Sequence, residues 1–199
     1  MSTVHVRTER RFNPQLLLLR GAEHHVRNAK QKRAGSYYDC LAAIVLSALS
    51  IEAIGNSYGK VLILDWRDQI AKLTTSRGGV SPLRKLQLVA ERCRIKPDFE
   101  NRPWRTIQKL AHFRNLIAHA KREHHKDEDE CTKTDYYRVF WKKLESEVET
   151  MINEDFATES LGDVEQIIRA LNATLNQSQL HELTYNGQES FAAITGVKP

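Results

Sequence analysis

The sequence contains few cysteines, and their positions argue against disulfide-rich and zinc-finger folds. Cys40, Cys93 and Cys131 are the three present in 199 residues. An odd number at wide spacing provides neither a disulfide framework nor the paired ligands of a structural zinc site. Free thiols persist in a reducing compartment, so we expect a cytoplasmic protein.

Long apolar runs and several catalytic motifs are also absent. The longest apolar-leaning run, residues 41–49, is shorter than the roughly 20 residues that cross a bilayer. The first residues contain no apolar segment of the kind found in secretory signals, so we expect no membrane contact. Arg77-Gly78-Gly79 lacks the Lys-Ser/Thr that completes a phosphate-binding loop, and no Ser/His/Asp arrangement is legible.

What remains is the composition of a globular protein with a moderate basic bias. Hydrophobic residues make up 41% of the chain and charged residues 28%. The formal net charge is +5 and the sequence pI is about 9.1. Such a bias permits contact with nucleic acid or another polyanion without establishing it.

Start and stop signals for helices recur along the chain. Residues 36–39 (Ser-Tyr-Tyr-Asp) fit a capping box, and Gly35 and Gly59 fit helix ends. A short helix or irregular link is predicted over residues 66–73, and a short strand near Val6. Proline marks three further helix starts, at Asn13-Pro14, Ser81-Pro82 and Pro103. The last two predicted helices cover residues 134–152 and 161–175.

These signals predict an all-α protein, a bundle of four or five core helices with helical extensions at both ends. Residues 1–35 would form a basic N-terminal helical segment, residues 36–156 the core, and residues 157–199 a C-terminal helical extension and tail. The whole would be one compact domain, as its length suggests. The first helix ends in four basic residues, Arg27, Lys30, Lys32 and Arg33. They either contact RNA or form a solvated face whose charge suits the helix dipole.

The helix predicted over residues 103–122 contains an unusual polar pattern. Arg114 and Asn115 are followed by three apolar residues and then by His119. Arginine offers a planar fork of donors for phosphate, and histidine is the side chain that transfers protons near neutral pH. Four polar residues lie on one face of the helix: Gln108, His112, Asn115 and His119. Arg114 lies at the edge of this stripe. The pattern predicts a site that handles phosphate.

The simpler alternative for these residues is structural. An isolated arginine and histidine on one helix are usually surface residues in salt bridges with acidic side chains, or the histidine is a hydrogen-bonded core residue. Asn115 and the apolar residues between Arg114 and His119 make the pattern more specific. Large apolar side chains cover much of the rest of the helix. We therefore expect the polar stripe to line a pocket or to meet a second subunit.

At these residues the chain resembles the HEPN superfamily of small all-α proteins. The family signature is an arginine, often followed by a polar residue, and a histidine a few residues later near the end of a helix. Arg114, Asn115 and His119 match it. Residues 48–56 also resemble an upstream helix in which an acidic or polar residue faces the motif, and Glu52 is that residue here. The resemblance covers roughly residues 36–156.

The resemblance implies a homodimeric, metal-independent endoribonuclease that needs no cofactor. RNA would be cleaved by its own 2′-hydroxyl, leaving 2′,3′-cyclic phosphate and 5′-hydroxyl ends. His119 would be the general base or acid, and Arg114 would hold the scissile phosphate. Asn115 would orient His119 or bind a phosphate oxygen. Glu52 and His112 would support the site.

The same resemblance implies partners and a form of regulation. Many members are toxins or antiphage-defence effectors, so we expect an inhibitor, antitoxin or defence-system partner besides the RNA substrate. Some members are modified with AMP on a tyrosine two residues after the histidine. Lys121 occupies that position here, which argues against this route. Lys121 and Arg122 would instead contact the RNA backbone.

Two other functions stay open on the sequence. The first is a non-catalytic HEPN-like dimerisation module that binds a partner protein or a nucleotide through the same helix. The second is a helical nucleic-acid-binding protein with no chemistry, which would bind in a salt-dependent way.

Other chemically suggestive residues have a plainer interpretation. His124-His125 and the acidic residues 127–129 are expected to form a solvated loop and not a metal site, because no helix or turn orders their spacing. Cys40 is expected to be a buried small hydrophobe. Tyr136-Tyr137 and Trp141 are expected to be core residues and not a base-stacking platform.

Overall fold

Eight helices make up most of the described structure, a computed structural model that covers residues 6–7, 13–32, 34–74, 79–119, 146–184 and 193–194. Two-residue strands β1 (Val6–Arg7) and β2 (Ala193–Ile194) pair antiparallel. The predicted all-α class is confirmed. The helices are α1 (Pro14–Lys30), α2 (Ser36–Leu62), α3 (Trp66–Leu73), α4 (Pro82–Arg92), α5 (Trp104–Ala118), α6 (Glu147–Met151), α7 (Glu154–Asn172) and α8 (Gln177–Thr184).

The long helix α2 lies at the centre of the bundle. It packs most extensively against α1 and then against α4, α7 and α5. Its buried residues recur every three or four positions and cover about half of the helix circumference, a broader buried face than that of an ordinary surface helix. The largest of them are Ile44, Ile51, Ile54 and Tyr58.

α2 is also the one described helix that is long and apolar enough to cross a membrane. Its most apolar window has a mean hydropathy of 1.6, and half of that window is buried inside the protein. The apolar run at residues 41–49 underestimates the length of this apolar helix, because small and polar residues extend the helix to Leu62. Core helices satisfy the same criterion of length and composition, so the criterion is weak support for a membrane span.

Three further helices complete the core with apolar residues at helical spacing. On α5, Ile107, Leu110 and Phe113 are fully buried. Burial of one such side chain stabilises the fold by roughly 1.5–3 kcal/mol. The corresponding buried residues are Leu86 and Val89 on α4 and Ala157, Val164, Ile167 and Leu171 on α7.

Hydrogen bonds connect the N-terminal helix α1 and the C-terminal part of the chain to α2 and to each other. The buried Gln15 of α1 donates from Nε2 to the backbone oxygen of Leu183 in α8 (3.2 Å) and accepts from the Ser57 hydroxyl (3.0 Å). The Tyr58 hydroxyl donates to the Asn172 side chain at the end of α7 (2.6 Å). α1 and α7 therefore share one core with α2. The boundary predicted between the core and the C-terminal extension falls inside α7.

Three predicted helix starts are confirmed. Asn13, Ser81 and Pro103 are the N-cap residues of α1, α4 and α5. The Ser81 hydroxyl accepts from the backbone N–H of Arg84 at 3.2 Å. Proline suits the beginning of a helix because the first N–H groups have no partner inside the helix. Local chemistry alone accounts for these positions.

The capping box predicted at Ser36 is wrong. The N-cap of α2 is Gly35, in the left-handed region with φ 93°, and no side chain caps the helix. Asp39, the expected capping partner, lies against His25 of α1, with 2.8 Å between His25 Nδ1 and the carboxylate. A contact between two helices has replaced the local one.

Gly59, which the sequence marks as a helix end, lies inside α2. A Cβ at this position would lie 2.5 Å from the indole ring of Trp66 in α3. Trp66 is buried. The glycine is therefore needed for α3 to pack on α2, and not for termination.

The helix predicted over residues 134–152 falls largely outside the described residues, and its described end is interrupted. Ser146 has an extended backbone and caps a new helix, α6, through reciprocal hydrogen bonds with Glu149. Asn153 then caps α7 with its side chain, so that helix begins earlier than predicted.

An ion pair fastens the link between α4 and α5 to α7. Arg102 donates from Nε and Nη2 to the two carboxylate oxygens of Asp163, at 2.8 and 2.9 Å. The Asp163 side chain is 3% exposed, whereas Arg102 is about half-exposed. Hydrogen bonding to this carboxylate raises the pKa of Arg102. The pair holds the chain just before Trp104, where α5 begins.

Candidate functional site

The motif residues lie at the C-terminal end of α5. The buried face of this helix fixes it against the core, so the side chains on its other faces have a defined position relative to α2. The helix ends at Ala118, and His119 is its C-cap. Lys121 and Arg122 lie outside the described residues, as does the predicted continuation of the helix.

Arg114 and Glu52 form an ion pair between α5 and α2. Arg114 Nη2 lies 3.6 Å from Glu52 Oε2, and each side chain is 34% exposed. Arg114 Nη1 also donates to the side-chain oxygen of Asn115 at 3.4 Å, a long bond at the surface. The acidic residue predicted on the upstream helix therefore lies beside the motif arginine. A guanidinium carries five N–H donors, so most of them stay available to a ligand.

Lys85 of α4 completes this cluster, and the sequence interpretation did not include it. Its Nζ donates to Glu52 Oε1 at 2.9 Å, so the two oxygens of one carboxylate face two cations. The Lys85 side chain is 12% exposed, less than either of the others. Its position in an ordinary amphipathic helix pattern, next to Leu86, gave no local signal of a role at the site.

Gly55 brings Lys85 close to α2. A Cβ on Gly55 would lie 3.0 Å from the Cβ of Lys85 and 3.3 Å from the backbone nitrogen of Leu86. Glycine therefore allows α4 to approach α2 more closely than a larger residue would. Gly55 follows Glu52 by about one helical turn, so the close approach lies directly beside the carboxylate.

His119 lies where the helical conformation ends, with φ −117° and ψ 21°. Its backbone N–H donates to the carbonyl oxygen of Asn115 at 3.0 Å, and its side chain is exposed. Within the described ranges, no residue hydrogen-bonds to its imidazole. The structure therefore joins Asn115 to His119 through the backbone, and the Asn115 side chain accepts from Arg114.

His112 belongs to the predicted polar stripe but is not brought to Arg114. All four residues of the stripe are exposed, as a common face requires. His112 Nε2 lies 2.8 Å from Glu147 Oε1 of α6, beside a groove of about 460 Å³ that runs between α5 and α7. Two residues correspond to about 200° around a helix, so His112 and Arg114 occupy different sides of α5.

An apolar pocket of about 200 Å³ lies between α2 and α5, and Arg114 forms part of its wall. Val45 and Phe113 are among its other lining residues. Leu49 and Ile117 also line it, and each is 39% exposed, which is unusual for large apolar residues beside a charged cluster. Contiguous exposed apolar surface of this kind marks a binding surface more often than isolated exposed residues do.

Cys40 does not provide a second reactive centre. Burial, followed by the nearby negative charges of Glu154 and Asp39, raises the pKa of its thiol. A thiol with a raised pKa is mostly protonated and is a poor nucleophile. The interpretation of Cys40 as a buried small hydrophobe agrees with its 4% exposure.

The described part of the chain contains no group of histidine, cysteine and acidic side chains arranged to hold a metal ion. The loop with His124-His125 and residues 127–129 lies outside that part, as do Tyr136-Tyr137 and Trp141. Arg27, Lys30 and Lys32, at the basic end of α1, are exposed. They lie on a different element from the Arg114 cluster.

Chemically, the arrangement is a partly exposed cationic cluster with an exposed histidine five residues further along the chain. Two cations share one carboxylate, which suits reversible binding of an anion, and the histidine can exchange protons with a bound molecule. The fold and these residues define an all-α protein with a candidate anion site at the end of α5. No protein-family model, curated protein or solved structure matches the chain.

Proposed function

We propose that the protein is a metal-independent endoribonuclease of the HEPN type. The main supporting observation is the Arg114–Glu52 ion pair, because it places the motif arginine on the surface, beside the acidic residue of the upstream helix. The exposed His119 at the end of the same helix would supply the proton-transfer group. The basic net charge of +5 favours a polyanionic substrate.

In the proposed reaction, the RNA 2′-oxygen loses its proton and attacks the adjacent phosphorus, and the bond from phosphorus to the 5′-oxygen breaks. The 5′-oxygen takes up a proton, so the products are a 2′,3′-cyclic phosphate and a 5′-hydroxyl. His119 performs one of these two proton transfers. Arg114 binds the phosphate and offsets the charge that builds on its oxygens in the transition state. Asn115, beside Arg114, would donate to the same phosphate.

A homodimer is part of the proposal. Leu49 and Ile117 are exposed apolar residues next to Arg114, and the pocket between α2 and α5 provides a surface into which a second copy can pack. A dimer axis at this surface brings two motif helices together. Cleavage would then depend on a composite site, and its loss on dilution would accompany dissociation of the dimer.

The cellular role that we propose is that of a cytoplasmic toxin or antiphage-defence effector. A nuclease with a surface-exposed site needs a means of restraint, which an inhibitor, antitoxin or defence-system partner would supply. The position two residues after His119 is Lys121 and not the tyrosine that takes AMP in some HEPN proteins. We therefore propose restraint by binding.

The decisive experiment incubates purified protein with mixed cellular RNA in the presence of EDTA. We expect the wild-type protein to release fragments with 2′,3′-cyclic phosphate ends. His119→Ala should lower the cleavage rate by at least about a hundredfold, because a positioned acid or base contributes factors of that order. His24→Ala, an exposed histidine on α1, is the matched control and should cleave normally.

Circular dichroism and light scattering should show that the variants keep the fold and the same oligomeric state. Cleavage by His119→Ala at the wild-type rate would contradict the proposed mechanism. Cleavage that EDTA abolishes would contradict the metal-independent reaction.

A partner-binding module is the second candidate function. One observation favours it: no described residue hydrogen-bonds to the His119 imidazole, so nothing described orients that ring for catalysis. The exposed Leu49 and Ile117 would then form an interface with another protein, or the pocket beside Arg114 would take a nucleotide. A folded dimer that cleaves no RNA but shows a nucleotide-dependent increase in melting temperature would select this function.

A further inference from the structure

We propose that Lys85 is a positioning residue of the anion site, which acts by holding the Glu52 carboxylate so that Arg114 keeps its positive charge available for a phosphate. The inference rests on the proposed function in one respect, that a phosphate binds at Arg114. Nothing in the resemblance to HEPN proteins points to a lysine at this place. The proposal comes from the way α4 packs on α2.

The geometry divides Glu52 unequally between its two partners. Lys85 Nζ lies 2.9 Å from Oε1, within hydrogen-bonding distance, whereas Arg114 Nη2 lies 3.6 Å from Oε2, beyond the usual range of an N–H···O bond. The cation of the closer pair is also the more buried one, since the Lys85 side chain is 12% exposed and the Arg114 side chain is 34% exposed. Glu52 is therefore bound chiefly to Lys85.

The balance of charge follows from this arrangement. Arg114 and Lys85 carry one positive charge each and Glu52 carries one negative charge, so the cluster has a net charge of +1. Without Lys85 the carboxylate would be free to move onto the guanidinium, cancel its charge and occupy the donors that a phosphate needs.

Lys85 acts through Glu52 and not by touching the ligand. Its side chain is mostly buried and already donates to the carboxylate. The absence of a Cβ at Gly55 leaves room for the Lys85 Cβ close to α2. Arg114, by contrast, keeps exposed donors. Removal of Lys85 should therefore weaken anion binding only while Glu52 is present, a dependence that a direct contact or a purely structural role would not show.

The test measures binding of a fluorescein-labelled single-stranded RNA in which every 2′-hydroxyl is methylated, so that the proposed chemistry cannot cleave it. Fluorescence anisotropy at fixed salt gives the Kd of the wild type, Lys85→Met, Glu52→Gln and the double variant. We expect Lys85→Met to weaken binding by about tenfold, because the released Glu52 carboxylate would compete with the phosphate for Arg114. The double variant should bind within about twofold of Glu52→Gln alone.

Two further variants sharpen the test. Lys85→Arg keeps the charge and should stay within about twofold of wild type, which separates loss of charge from loss of the fold. In an Arg114→Ala background, Lys85→Met should have no further effect, because the residue it protects is absent. Melting temperatures of all variants identify any that are unfolded, and Lys85→Gln, which also lacks the charge, then takes the place of Lys85→Met in the comparison with Glu52→Gln.

A double variant that binds as weakly as Lys85→Met would overturn the inference, since Lys85 would then act independently of Glu52. Binding that does not change in Arg114→Ala would also overturn it, because the phosphate would lie elsewhere. If this order of affinities holds but unmodified RNA is not cleaved, the role of Lys85 stands and the nuclease proposal fails. The two proposals are therefore rejected by different results.

Discussion

At the scale of single residues, the buried polar groups divide into paired and unpaired ones. Gln15 and Asp163 are almost fully buried, and each makes hydrogen bonds to a residue far away in the chain. The hydroxyls of Ser47 and Ser160 are buried without a hydrogen-bond partner among the described residues. A buried polar group without a partner loses its hydration and gains nothing in return.

Ser160→Ala is therefore expected to stabilise the protein. Removal of the unpaired hydroxyl should raise the free energy of unfolding by about 1 kcal/mol, with a smaller gain from the higher helix propensity of alanine. Ser50→Ala is the matched control, because the Ser50 hydroxyl donates to the backbone oxygen of Ser47 at 2.6 Å. That variant should be neutral or less stable. Urea denaturation followed by circular dichroism measures both, and a destabilised Ser160→Ala would mean that the hydroxyl has a partner.

At the scale of helices, contacts between elements determine positions that local signals misplace. Gly59 has the composition of a helix end, yet α2 continues past it because Trp66 of α3 needs the space. Asp39 has the spacing of a capping residue, yet it pairs with His25. In each case a contact with a neighbouring helix determines the role of the residue, and the local sequence predicts a different role.

Gly59→Ala is expected to destabilise the protein although alanine favours helices. The new Cβ would lie 2.5 Å from the ring of Trp66, and overpacking of this kind destabilises by about 1–3 kcal/mol. Gly162→Ala on α7 is the matched control, since a Cβ there meets no atom within 4 Å. It should stabilise by about 0.5–1 kcal/mol through helix propensity. Equal changes in the two melting temperatures would show that the Trp66 contact has no such effect.

At the scale of the whole molecule, α2 holds the bundle together because every other long helix packs on it. The hydrogen bonds from Gln15 to Leu183 and from Tyr58 to Asn172 join parts of the chain that are far apart in sequence. A bundle connected in this way is expected to unfold in one cooperative transition. The candidate site lies at the junction of α2, α4 and α5, so its geometry depends on this global packing.

Arg102→Gln is expected to weaken that packing. The Asp163 carboxylate is 3% exposed and would lose both of its hydrogen bonds to the guanidinium. Loss of one partner leaves a buried charge uncompensated, which we expect to lower the free energy of unfolding by about 2 kcal/mol after allowance for the exposure of Arg102. Arg105→Gln, an exposed arginine with no ion pair in the described structure, should change stability by less than about 0.5 kcal/mol. Chemical denaturation compares the two, and equal effects would refute a special role for Arg102.

Local signals were sufficient for the all-α class, for three helix starts and for the position of the motif near the end of a helix. Helix periodicity and caps depend on a few neighbouring residues, so they can be predicted from the sequence. The approach of Glu52 to Arg114 was predicted from resemblance, whereas the separation of His112 from this pair was not foreseen. The turn of α5 and its contact with α6 decide where His112 points.

The role of Lys85 was decided only by the tertiary structure. Lys85 and Glu52 are 33 positions apart, and their contact depends on how closely two helices pack at Gly55. Such a distance is set by the packing of the whole core and not by any local preference. The residue types of the candidate site are thus present in the sequence, while the arrangement of charges around Arg114 arises from the packing of α2, α4 and α5.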